Sequence, residues 1–131
     1  MNQMNIQYWG DNMTDMELET KLLLYKGSVK EFPFGAKVAV YKVMNKMFAL
    51  VGTKNGVINI NLKCQPDDAL GYRDIYECVI PGYHMNKKHW NTIIMNGEMK
   101  DEILLDMMDE SYELIISKLT KKKKVELELI S

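Results

Sequence analysis

Cys64, Cys78, His84 and His89 supply the side-chain types that hold zinc. A zinc finger keeps its two cysteines only a few residues apart, and here neither cysteine sits in a CxxC pair. No metal and no cofactor is therefore expected, and both cysteines are read as reduced, buried thiols. Gly52-Thr53-Lys54 has part of a phosphate loop, but the full G-x-x-x-x-G-K-[ST] run is absent and a hairpin turn explains it. Carboxylates crowd between Glu98 and Glu113. They fall on a helical pattern whose apolar stripe needs a solvated opposite face, so acid–base catalysis is not expected from them. Lys121 to Lys124 are read as a solvated basic end, suited to the negative C-terminus of the helix before them.

The segment from Pro81 to Thr92 has a different chemistry. It is basic, with His84, Lys87, Lys88 and His89 and no acidic residue. Two aromatics, Tyr83 and Trp90, and two amides, Asn86 and Asn91, are interleaved with them. Cations, aromatics and amides are the groups that contact phosphates and bases. The same residues also suit a hairpin whose Trp90 packs inward and whose lysines guard a sheet edge.

The elements that position these residues can be read from periodicity. Thr14-Asp-Met-Glu17 has the spacing of a capping box, and Leu18, Leu22 and Tyr25 follow on one helical stripe toward Gly27 as a cap. Lys37–Val43, Met47–Val51 and Val57–Lys63 read as three strands. Asn45-Lys46 turns between the first two, and Asn55-Gly56 gives a strong hairpin signal between the second and third. In the third strand Ile58, Ile60 and Leu62 alternate with Asn59, Asn61 and Lys63. The aliphatic set should be buried and the polar set more exposed, because strand side chains alternate between faces. The sheet should then carry helices on one side and leave an open polar face that can bind. Pro66, Asp67 and Asp68 start a second helix toward Tyr76. Val79–Met85 and Trp90–Met95 form a second pair of strands. A last helical pattern runs from Lys100 to Leu119 with Leu104, Met108, Ile115 and Leu119 on one stripe, and Asp109-Glu-Ser111 is a candidate break. Val125, Leu127 and Leu129 alternate with Glu126 and Glu128, a strand pattern that predicts an added edge strand or a disordered tail.

The expected fold is therefore α+β, a two-layer, mainly antiparallel sheet with helices on one face, in the order α-β(3)-α-β(2)-α. At 131 residues the chain suits a single domain over 1–131, with its core between about 14 and 120 and a basic, then strand-like tail from 121 to 131. It is 47% hydrophobic and 27% charged, ordinary for a globular protein. A net charge of −1 is low for a dedicated DNA binder, so any phosphate binding must come from local charge. No run approaches the ~20 apolar residues of a membrane helix, and Met1 to Asp15 lacks the pattern of a signal peptide. A cytoplasmic location without membrane partners is expected.

Several motifs resemble the MmcQ/YjbR family: Phe32-Pro-Phe-Gly35, Lys46-Met-Phe-Ala49, Asn61-Leu-Lys-Cys64 with Pro66, and above all Pro81-Gly-Tyr-His-Met-Asn-Lys-Lys-His-Trp-Asn-Thr92. Ser111-Tyr112 and Lys118-Leu119 also fit, so the resemblance spans roughly Leu18 to Lys122. Gly97-Glu-Met-Lys100 departs from the pattern before the last helix. The resemblance implies a fold like that of small secretion chaperones, and DNA binding through a "double wing" arrangement. It transfers no catalytic residue, so neither an enzyme nor a small-molecule substrate is expected.

Two readings stand. The first is a DNA-binding protein acting mainly through non-specific phosphate contacts. His84, Asn86, Lys87, Lys88 and His89 are its candidate contacts, with Lys63, Asn59 and Asn61 on the open sheet and Tyr83 and Trp90 holding the hairpin or stacking on a base. The second is a protein-interaction module with no nucleic-acid role.

Overall fold

The computed structural model describes residues 13–82 and 85–130. Tyr83 and His84 lie outside the described residues.

Helix α1 spans Asp15–Leu24 and begins at Thr14, whose hydroxyl accepts from the Glu17 amide while the Glu17 carboxylate accepts from the Thr14 amide. That capping box is the one the spacing predicts. Strands β1 (Ser28–Glu31), β2 (Val38–Val43), β3 (Lys46–Lys54) and β4 (Val57–Lys63) follow, then α2 (Pro66–Ile75), β5 (Val79–Pro81), β6 (Trp90–Ile94), α3 (Asp101–Ser117) and α4 (Lys121–Glu128). All strand pairs are antiparallel, in the spatial order β1-β2-β3-β4-β6-β5. The α+β class holds, with one more strand and one more helix than the sequence pattern predicts.

The β2–β3 turn is Met44-Asn45, one residue earlier than expected, and both have positive φ, 48° and 67°. Asn55 and Gly56 turn β3 into β4 with φ of 53° and 78°. Two successive positive φ values twist a two-residue turn to match the strands it joins. A register shift at Tyr41/Lys42 lets Phe48 and Ala49, adjacent in β3, both reach the core.

The main core lies between the sheet and its helices. Leu18 and Leu22 of α1 and Leu104, Met107, Met108 and Ile115 of α3 meet Tyr41, Val43, Phe48, Ile60, Leu62 and Ile93. Phe48 stands edge-on to Tyr25 and Tyr112, which stack on each other. Ser111 ties α3 to the sheet: its hydroxyl donates to the Phe48 carbonyl at 2.6 Å and accepts from the Lys63 amide at 2.9 Å. Ile60 and Leu62 are buried and Asn59, Asn61 and Lys63 partly exposed on the other face, as the alternation predicts, but Ile58, expected to be buried with them, is itself partly exposed near the start of the strand.

Four expectations need correcting. The sequence pattern contains no sign of β1: Ser-Val-Lys-Glu offers one apolar residue in four and becomes a strand by pairing with the edge of β2. The break suggested at Asp109-Glu-Ser111 does not occur, since Ser111 spends its hydroxyl on the sheet and α3 runs through. β5 ends at Pro81, short of Met85. Finally, the strand-like tail is a helix. Thr120 caps it by accepting from the Lys123 amide, and Leu127 is buried near Gly27. Lys, Glu and Leu are strong helix formers, and one buried leucine anchors them, which outweighs a short alternation. Lys121 to Lys124 consequently occupy the positive end of α4, where the helix dipole does not favour them.

Candidate nucleic-acid interface

The sheet face turned away from the helices is not bare. Val40, Leu50 and Trp90 form a second, smaller buried cluster there, with Val38, Met47 and Met85 packed against it. Beside this cluster lies a groove of about 880 Å³. Its polar lining is Lys37, Thr53, Lys54, Asn59, Asn61 and Thr92, its apolar lining includes Val38, Met47 and Leu50, and Phe34 and Met85 belong to the two loops that flank it. The expected open polar face is thus a mixed one, concave and apolar along part of its floor.

No carboxylate is among the lining residues. Glu31, which shares the face by register with Val40, is paired with Lys42 at 3.0 Å. Among the described residues Lys37, Lys54, Lys87 and Lys88 have no carboxylate partner. The side chain of Asn59 likewise has no hydrogen-bond partner among them. Asn61 accepts from the Thr92 hydroxyl at 2.5 Å, which leaves its amide hydrogens to offer.

The predicted residues fall into three groups. Asn59 and Asn61 line the groove. Asn86, Lys87 and Lys88 are exposed on the β5–β6 loop, which reaches the groove through Met85. Asn86 is largely committed to the loop itself: its carbonyl accepts from the His89 and Trp90 amides and its side chain from the Lys88 amide. His89 is half-buried, and its carbonyl accepts from the Cys64 amide at 2.7 Å. Lys63 faces the open side by register opposite Trp90 but is absent from the groove lining. Burial and the nearby Lys118 hold its ammonium below the ordinary lysine value. Trp90, 8% exposed, supports the loop from the small cluster and is covered on that account.

An arginine–asparagine bridge anchors the same loop. Arg73, the chain's one arginine, donates from Nε to Asn91 Oδ1 at 2.6 Å and from Nη2 to the Lys87 carbonyl. Asn91 is fully buried and donates to the Ala69 carbonyl at 3.2 Å. The bridge joins α2, β6 and the loop, and nothing in the local pattern around Arg73 announces it. Lys54, by contrast, could have been found. The Asn55-Gly56 turn fixes Gly52 opposite Asn59, which sets Leu50, Gly52 and Lys54 on the same face as Asn59 and Asn61.

The two thiols are free and buried. Cys64 donates to Glu110 at 3.4 Å, and the Cys78 amide donates to Glu98 at 2.8 Å. Among the described residues no three His, Cys, Asp or Glu side chains gather as metal ligands, and no helix is long and apolar enough to cross a membrane.

A six-stranded antiparallel sheet backed by helices on one face, with a lysine- and amide-lined groove on the other, defines an α+β domain of the two-layer kind. The YjbR family matches residues 23–114, and the chain belongs to that family. It is 38% identical over 91 residues to YbdF of Escherichia coli, covering 70% of this chain and 75% of that one. It is 28% identical over 112 residues to YjbR of the same species, covering 86% and 95%. A Deinococcus radiodurans crystal structure of a DUF419 domain superposes with a TM-score of 0.82 at 32% identity, covering 91% of each chain. A Pseudomonas syringae structure shares the fold, with a TM-score of 0.68 at 24% identity over 78% of this chain and 98% of that one.

Proposed function

We propose that this domain binds nucleic acid on its open sheet face, mainly through phosphate contacts. The observation that carries the reading is the charge pattern: in a chain of net charge −1, the groove has lysines without carboxylate partners and no acidic lining residue. Local rather than global charge decides where a polyanion lands. Lys37 and Lys54 lie in the groove wall, while Lys87 and Lys88 extend the positive surface along the anchored loop. Asn59 and the Asn61 amide offer hydrogen bonds that any nucleotide can use, which suits binding with little sequence preference.

The test is a titration of labelled nucleic acid across a salt series, with thermal melts alongside. Lys87→Ala with Lys88→Ala should weaken binding and reduce the salt slope by about 2, since each lost phosphate contact withholds counterion release. Both lysines are exposed, so stability should change by no more than about 0.5 kcal/mol. Trp90→Ala should instead cost roughly 3–5 kcal/mol of stability, because it empties the small cluster. Absence of binding at low salt, or a double variant that binds as wild type does, would refute the reading and leave a protein-interaction module in its place.

A further inference from the structure

Resting on the reading just given, we infer that the groove takes single-stranded nucleic acid, with a base stacked on Phe34 and its edge met by Asn59 and Asn61. Phe32 and Phe34 differ in their surroundings although they are two residues apart. The Lys30 ammonium sits over the Phe32 ring, 5.4 Å from its centroid. Phe34 has no ring or cation partner among the described residues, is 65% exposed, and lines the groove. An aromatic ring left bare at the edge of a cation-lined concavity is the part that single-strand binders use, because every base has a face to stack.

The shape points the same way. Duplex readers insert a helix or ribbon into a groove of the nucleic acid. Here Asn59 and Asn61 line a concavity on the protein, which an unstacked base can enter with its edge toward them. Apolar Leu50 and Val38 beside them suit the flat, poorly hydrated face of a base, and Lys37 and Lys54 stand where the strand's phosphates would pass.

The experiment compares a short fluorescein-labelled oligothymidine strand with a duplex of equal length, using wild type, Phe34→Ala, Phe34→Trp and Asn59→Ala. Wild type should bind the single strand more tightly. Phe34→Ala should lose about tenfold on the single strand, as expected for one lost stacking contact, and Phe34→Trp should retain it. Asn59→Ala should weaken the single strand with an unchanged melting temperature. Equal or tighter duplex binding, or a Phe34→Ala variant that binds the single strand as wild type does, overturns the inference while leaving nucleic-acid binding itself standing. Failure of both probes to bind overturns both.

Discussion

At the scale of single residues, the two thiols illustrate how burial sets chemistry. Burial, with Glu110 close by, pushes Cys64 from an ordinary value of 9.0 up to about 12. Burial and the Glu98 carboxylate push Cys78 up to about 11. Both remain neutral thiols at physiological pH, which makes them poor nucleophiles. Their effect on stability has a definite sign. A thiol whose folded value exceeds its unfolded one contributes fully below the unfolded value, near 9.0, and loses that contribution as pH rises toward the folded value. Urea midpoints should therefore hold steady up to about pH 9 and fall from there toward pH 11. A Cys64→Ala variant should be less stable at neutral pH, through the lost packing, but its decline above pH 9 should be shallower. An alkaline limb equally steep in that variant would show that Cys64 is not a source of the effect.

Among the elements, the β5–β6 pair depends on a close approach that only glycine permits. The Gly82 amide donates to the Trp90 carbonyl at 2.9 Å, and a Cβ on Gly82 would lie 2.9 Å from Trp90 Cβ and 3.0 Å from its carbonyl oxygen. Real Cβ atoms do not sit so near backbone, so the strands would have to part at the root of the loop. Gly82→Ala should cost ~1–3 kcal/mol in a thermal melt and speed amide exchange at Trp90, with weaker nucleic-acid binding as a consequence. An unchanged melt would place the loop root elsewhere. Elements of this kind divide by how local their causes are. The Thr14–Glu17 box, the Asn55-Gly56 turn and the Ile58–Leu62 alternation are readable because each is written within a few residues. β1 and α4 are not, since their signals are completed by partners far along the chain, Val40–Val43 for one and the surroundings of Gly27 for the other. The site divides in the same way. Asn59, Asn61 and the loop lysines were visible as residue types. The groove between Phe34 and Met85, and the bridge from Arg73 to Asn91, exist only once β2, β3, β4 and β6 stand side by side.

For the whole molecule, the question is whether a polyanion would respond to total charge or to one face. The lysine run and the groove lysines lie apart in the fold. Lys121 to Lys124 begin α4, which packs its Leu127 near Gly27 and Val43 on the helical side, whereas Lys37 and Lys54 line the groove on the other side of the sheet. Screening decides between the alternatives, because at 0.15 M salt charges act over only ~8 Å. A face-specific site should then ignore the tail. Lys121→Gln with Lys122→Gln should leave affinity near that ionic strength within about twofold, a change of ~0.4 kcal/mol or less. Lys37→Gln with Lys54→Gln removes the same two charges from the sequence and should weaken binding and lower the salt slope by about 2. Both pairs reach the same net charge, so the comparison isolates position. If the two double variants lose affinity equally, binding follows net charge alone, and the groove has no special claim on the ligand. If only the groove pair loses it, the uncovered face of the sheet is the surface on which nucleic acid lies.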